Sequence, residues 1–163
     1  MDVAAIVTPI YATEQNRRLE FFDQTVRSVL RQSHQNFVYI TIDDGSTVDV
    51  GYFLKQYKDS RLRYVNPGNS SSGTPSIPLN KGLDFVIENP ADIFAESEKV
   101  NLVAVGFLHS DDLLPINSLS SRLSGLSNGF LQTPMAFFRE GEGIFRVDQY
   151  TGPNAEYCEV AGN

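Results

Sequence analysis

Two short apolar runs, each closed by a pair of aspartates, constrain this chain more than any other feature. Phe37-Val38-Tyr39-Ile40-Thr41-Ile42 runs into Asp43-Asp44-Gly45-Ser46, and Leu102-Val103-Ala104-Val105-Gly106-Phe107-Leu108 runs into His109-Ser110-Asp111-Asp112. A nearly continuous apolar, β-branched run suits a parallel strand buried on both faces. Aspartates that follow such strands put negative charge at the carboxyl edge of a sheet, where open α/β sheets bind ligands. Neighbouring carboxylates repel by about 4 kcal/mol at 4 Å and an effective dielectric near 20. A divalent cation carrying a phosphorylated ligand is the expected compensation.

The rest of the chain alternates between strand and helix patterns. Val3 to Val7 reads as a buried strand that ends at Pro9. Between Arg18 and Gln32 the residues Leu19, Phe22, Val26, Val29 and Leu30 recur at helical spacing, with Asn16 placed to cap the helix. Val50, Phe53, Leu54 and Tyr57 give a second helix, and Leu62 to Val65 a short third strand. The stretch from Asn66 to Pro75 is rich in Gly, Ser and Pro; it reads either as a solvated connector or as a mobile loop over a ligand. A helix is expected around Leu79 to Ile87, then a break at Asn89-Pro90 and a polar excursion to Lys99. After the second aspartate pair, Pro115 opens a helix to about Leu126. Ala136 to Arg139 and Ile144 to Val147 flank a Glu140-Gly141-Glu142-Gly143 turn and predict a C-terminal hairpin. The fold class is therefore α/β: a Rossmann-like, mostly parallel sheet flanked by helices, with that hairpin appended.

Bulk properties narrow the partners. A chain of 163 residues with 41% hydrophobic content suits one domain with a real core. A net charge of −7 disfavours phosphodiester backbones, so no nucleic-acid partner is expected. Cys158 is the lone cysteine, which rules out an internal disulfide and fits a reducing cytoplasm. No apolar stretch is long enough to span a membrane, which leaves peripheral association open.

Several segments in order resemble the start of family-2 glycosyltransferases. They are Thr8-Pro9-Ile10-Tyr11, Ser28-Val29-Leu30-Arg31-Gln32-Ser33, Asn36-Phe37, Ile42-Asp43-Asp44-Gly45-Ser46-Thr47, Arg61-Leu62-Arg63-Tyr64-Val65, Leu79-Asn80-Lys81-Gly82-Leu83 and Phe107 to Asp112. The resemblance covers roughly residues 3–126. It implies the glycosyltransferase A fold, with a nucleotide-sugar donor at the carboxyl ends of the strands. Residues 1–126 would then be the donor-binding part of a single domain, and 127–163 a short acceptor-side extension.

The resemblance also implies roles. Asp112 would reach a Mn²⁺ or Mg²⁺ ion, with Asp111 as its partner on metal or ribose; the alternative is that the pair caps the helix near Pro115. Asp44 would accept the imide N–H of a uracil-like base, which favours UDP-linked sugars, while Asp43 fixes the turn by local hydrogen bonds. Thr8, Pro9 and Tyr11 would wall the base, and Asn80 and Lys81 would pack beneath the diphosphate. Tyr11 also reads as a satisfied aromatic at a strand end, and Lys81 as a solvated helix charge. His109 stands where the family often has an acidic residue, and Leu79 where an Arg often stands.

Inverting members take their general base from a later acceptor-binding half. No recognisable base motif follows Asp112; Glu140, Glu142, Asp148 and Glu156 are the only candidate types at suitable distance. The expected function is thus metal-dependent, inverting glycosyl transfer to an unknown sugar, lipid or protein acceptor. The alternative is a non-catalytic nucleotide-binding module acting as a subunit. A homo-oligomer or a missing C-terminal half is the further expectation for partners.

Overall fold

A computed structural model describes residues 2–68, 70–71, 73–89 and 100–126, and the backbone of 135–139 and 143–148. Four parallel strands form the main sheet: β1 (Asp2–Ile10), β2 (Phe37–Asp43), β3 (Leu62–Val65) and β4 (Asn101–Phe107), in the order β3-β2-β1-β4. The crossovers carry α1 (Arg18–Leu30), α2 (Val50–Lys55) and α3 (Ser76–Glu88). The expected α/β class and parallel sheet are therefore present. The chain divides into two units, 1–117 and 118–163. The second contains α4 (Ser118–Gly125) and the antiparallel pair β5 (Met135–Arg139) and β6 (Gly143–Asp148).

Burial follows the apolar pattern. Every residue of β2 is buried. Ala5, Val7, Val38, Ile40, Ile42 and Val86 of α3 form a core on one face of the sheet. Gly82 lets α3 come this close: a Cβ there would lie 2.2 Å from Val7 Cγ1 and 3.1 Å from Ile42 Cγ1. α1 buries Phe22, Thr25, Val26 and Val29. The Phe22–Phe53 ring contact ties it to α2, and the Tyr57 hydroxyl, just past the end of α2, donates to Asp23.

Boundaries at β1, α1 and α4 differ from the sequence expectation. β1 does not stop at Pro9 but runs to Ile10, with Pro9 opposite Ile42. Val7 O accepts from Leu108 N and Ile10 O from Asp44 N, so odd-numbered residues here face β4 and even ones face β2. The missing N–H of Pro9 thus points to the side where the β4 ladder has already ended at Phe107 opposite Val7, and no ladder bond is lost. Arg17, in left-handed backbone, precedes α1, but Asn16 still serves the helix end: its Oδ1 accepts the Arg18 N–H at 3.0 Å. α4 starts at Ser118 rather than Pro115, so neither Asp111 nor Asp112 stands at its N-cap position. β5 and β6 pair antiparallel, while the Glu140–Glu142 turn, the Pro90–Lys99 excursion, Glu156 and Cys158 lie outside the described residues.

Candidate functional site

The strand order places a topological switch point between β1 and β4, because β2 and β3 are laid down on one side of β1 and β4 on the other. Ligands bind outside the carboxyl ends of the strands at such a point. Both aspartate pairs are there: Asp43-Asp44 at the end of β2, and Asp111-Asp112 just beyond β4, with the end of β1 between them.

The first pair is held by a stitched turn. Asp44 N donates to Ile10 O at 2.8 Å, Thr47 N to Ala12 O at 2.9 Å, and Ala12 N to Ser46 Oγ at 2.9 Å. Asp43 is buried; its Oδ1 accepts from Ser46 N at 2.8 Å and its Oδ2 from the Tyr64 hydroxyl at 2.6 Å. Burial and then the bond to Asp43 push the Tyr64 phenol up to about 12, so it stays a donor at neutral pH. Asp43 thus fixes the turn. Asp44 is also buried, and both its oxygens accept from Ser71: the backbone N–H at 2.6 Å and the hydroxyl at 2.5 Å.

The second pair is split by its partners. Asp111 forms an ion pair with Arg18, the first residue of α1. Among the described residues no hydrogen bond or ion pair engages the Asp112 carboxylate; only its backbone N–H is used, to His109 O at 3.2 Å. The segment after the pair is laid along α1. Fully buried Gln32 donates through Nε2 to Leu114 O at 3.2 Å and to Pro115 O at 2.8 Å. Leu114 N donates to Ser28 Oγ at 3.1 Å and Ser33 N to Ile116 O at 2.8 Å.

The other expected residues take varied positions. Thr8 is buried and its hydroxyl has no partner among the described residues, so its side chain is sealed beneath the edge. Pro9 is half-buried, and the Tyr11 ring, 50% exposed, stands out beside the turn. Asn80 is exposed and Lys81 partly buried on α3, next to the Gly82 contact with Val7 and Ile42, which puts them toward the same end of the sheet. His109 is exposed. Arg18, Ser71, Gln32 and Tyr64 join the site without having been assigned a role in it from the sequence. Gln32 and Tyr64 stand in segments that carry the family resemblance, and Ser71 in the Gly-, Ser- and Pro-rich stretch read as a connector or a loop over a ligand.

The donor set can be tested against a divalent cation. Among the described residues no group of three or more His, Cys, Asp or Glu could hold a metal ion. A protein cage is therefore not formed by these residues. Mg²⁺ and ions like it, however, are commonly held by one or two carboxylates together with substrate phosphates and water. Asp112, with its carboxylate unengaged, fits that use. No helix among the described residues is long and apolar enough to cross a membrane.

Comparison with known proteins bears on the family and the fold. The model of glycosyl transferase family 2 matches residues 5–151. An uncharacterized glycosyltransferase of Rickettsia bellii is 29% identical over 140 residues, covering 85% of this chain and 17% of that protein. One from Haemophilus influenzae is 27% identical over 166 residues, covering 100% of this chain and 51% of that protein. The chain thus spans between 17% and 51% of the length of these two curated relatives. Among solved structures, Staphylococcus aureus TarS 1–349 in complex with UDP has a TM-score of 0.53 at 23% identity, covering 76% of this chain and 31% of that chain. That likeness is one of fold. With the family model spanning most of its length and the strand order and both acidic turns in place, the chain belongs to glycosyltransferase family 2.

Proposed function

We propose that this chain binds a nucleoside-diphosphate sugar, with uridine as the preferred base, and serves as the donor-binding part of an inverting glycosyltransferase. The observation that carries the proposal is the placement of two aspartate pairs at one sheet edge, on either side of β1. Strands two apart in a sheet are separated by roughly 10 Å. One pair can therefore face the base while the other faces the diphosphate.

Asp44 accepts the imide N–H of the base, which selects uracil over bases that present an acceptor there. Asp43 holds the turn that aims it, through Ser46 and Tyr64. Tyr11 and the Thr8-Pro9 backbone wall the base, and Asn80 and Lys81 lie toward the diphosphate. Asp112 holds Mn²⁺ or Mg²⁺, with Asp111 beside it on ribose or metal. When bound, the cation supplies Lewis-acid stabilisation of the departing nucleoside diphosphate. Arg18, paired with Asp111, offsets part of the local negative charge. The acceptor hydroxyl attacks the anomeric carbon from the opposite side, and a carboxylate base takes its proton. The candidates for that base, Glu140, Glu142 and Glu156, lie outside the described residues, and of Asp148 only the backbone is described.

The test is a melting experiment with UDP, CDP, GDP and ADP, each with Mn²⁺. UDP at 100 times its dissociation constant should add about 2.7 kcal/mol of stability. No shift with any of the four would contradict donor binding. Consumption of a UDP-sugar, by transfer or by slow hydrolysis, separates an enzyme from a non-catalytic nucleotide-binding module.

A further inference from the structure

The carboxylate assigned to the base already has a partner within the chain. Among the described residues Ser71 supplies both donors, the amide to Asp44 Oδ1 at 2.6 Å and the hydroxyl to Oδ2 at 2.5 Å. The two residues are 27 positions apart, so the contact is not a turn forced by local geometry. Gly45 permits it. Its φ is +84°, and a Cβ there would stand 2.9 Å from Ser70 Cβ, so any side chain at 45 would hold Ser70 and Ser71 away from Asp44.

A buried carboxylate needs donors. Ser71 meets that need here, and a base imide N–H seeks the same oxygens. A carboxylate has lone pairs to spare in open solvent. Asp44, however, is only 7% exposed, so little of its carboxylate is open beside Ser71. Base binding and the Ser71 contact therefore compete.

We propose that Ser71 is a built-in competitor of the nucleobase: it caps Asp44 in the free protein and must be displaced before the base is read. This rests on the assignment of Asp44 to the base. Capped and open forms are in equilibrium, and the apparent dissociation constant equals the intrinsic one divided by the open fraction. The cap weakens binding of every ligand that uses Asp44. It leaves alone a ligand that binds only at the Asp112 end.

Two measurements on the full chain test this. Hydrogen exchange should show the Ser71 amide protected in the free protein and exchanging faster once UDP and Mn²⁺ are bound, although ligands ordinarily slow exchange near their site. In calorimetry, Ser71→Ala should tighten UDP by roughly fivefold, the worth of one hydrogen bond, and leave pyrophosphate with Mn²⁺ unchanged. UDP binding that slows exchange at Ser71, or that is no tighter in Ser71→Ala, overturns the cap and leaves the donor site standing. A pyrophosphate affinity that rises along with UDP also overturns it. Failure of every nucleoside diphosphate to bind either protein overturns the donor site, and with it the competition.

Discussion

Arg18, the first residue of α1, reaches across to Asp111 and forms an ion pair with it, while Asp112 next door carries no such partner among the described residues. The side chains of Arg18 and Asp111 are 33% and 49% exposed, a setting in which ion pairs contribute about 0–1 kcal/mol to stability. Its consequence lies in charge. Arg18→Gln should leave the melting temperature nearly unchanged yet free Asp111 to join Asp112 as a ligand. Mn²⁺ binding without nucleotide, measured by electron paramagnetic resonance, should then tighten severalfold. Unchanged Mn²⁺ affinity would show that Asp111 cannot reach the ion.

Asp112→Asn keeps the shape of the side chain and removes its charge. The fold should persist, because among the described residues this carboxylate makes no hydrogen bond or ion pair. The extra stabilisation that Mn²⁺ gives to the UDP complex should vanish. A melting temperature in ligand-free protein several degrees below the parent would instead reveal a structural duty for Asp112.

Gly82→Ala should destabilise the protein by about 1–2 kcal/mol. The added methyl would lie 2.2 Å from Val7 Cγ1, in the packed face between α3 and the sheet. Overpacking of this kind costs roughly 1–3 kcal/mol, and the better helix propensity of alanine offsets up to about 1 kcal/mol of it. Urea unfolding measures the difference. A neutral or stabilising result would mean that α3 can shift outward freely.

Arg61 predicts a pH dependence. Its guanidinium donates to both oxygens of Asp59, at 3.0 and 2.7 Å, and also to Gln35 Oε1 and Leu30 O, and it lies 4.4 Å over the Phe37 ring. The hydrogen bond from Arg61 holds the Asp59 carboxyl below its ordinary value. A carboxylate depressed in the folded state stabilises above its unfolded pKa, near 3.9, and loses that contribution as pH falls through the lower folded value. Stability of the parent should therefore drop below about pH 4, and Asp59→Asn should remove part of that drop while lowering stability at pH 7. Equal acid slopes in the two proteins would count against the pair. Asp23 behaves in the same sense beside Arg27.

The reach of each interaction along the chain decides how much of it the sequence discloses. The strand β2 and its closing aspartates were legible because a continuous apolar run and a carboxylate stop are local patterns. The end of β1 was not, because Pro9 is tolerated only where β4 has stopped, which is a fact about another strand. The Asp44–Ser71 and Arg18–Asp111 contacts join segments remote in the chain, and a serine in a Gly/Ser-rich stretch gives no hint of which carboxylate it meets. Gln32 could be read as the end of a helix, but not as the clamp on the segment beyond Asp112.

If one cleft holds both ends of the donor, as proposed, an NMR titration of the labelled chain shows it in a single experiment. UDP should shift the backbone resonances of Tyr11, Asp44 and Ser71, and trace Mn²⁺ added with UDP should broaden signals most strongly around Asp112. Broadening centred away from the carboxyl edge of the sheet, or UDP shifts that spare Asp44, would contradict it.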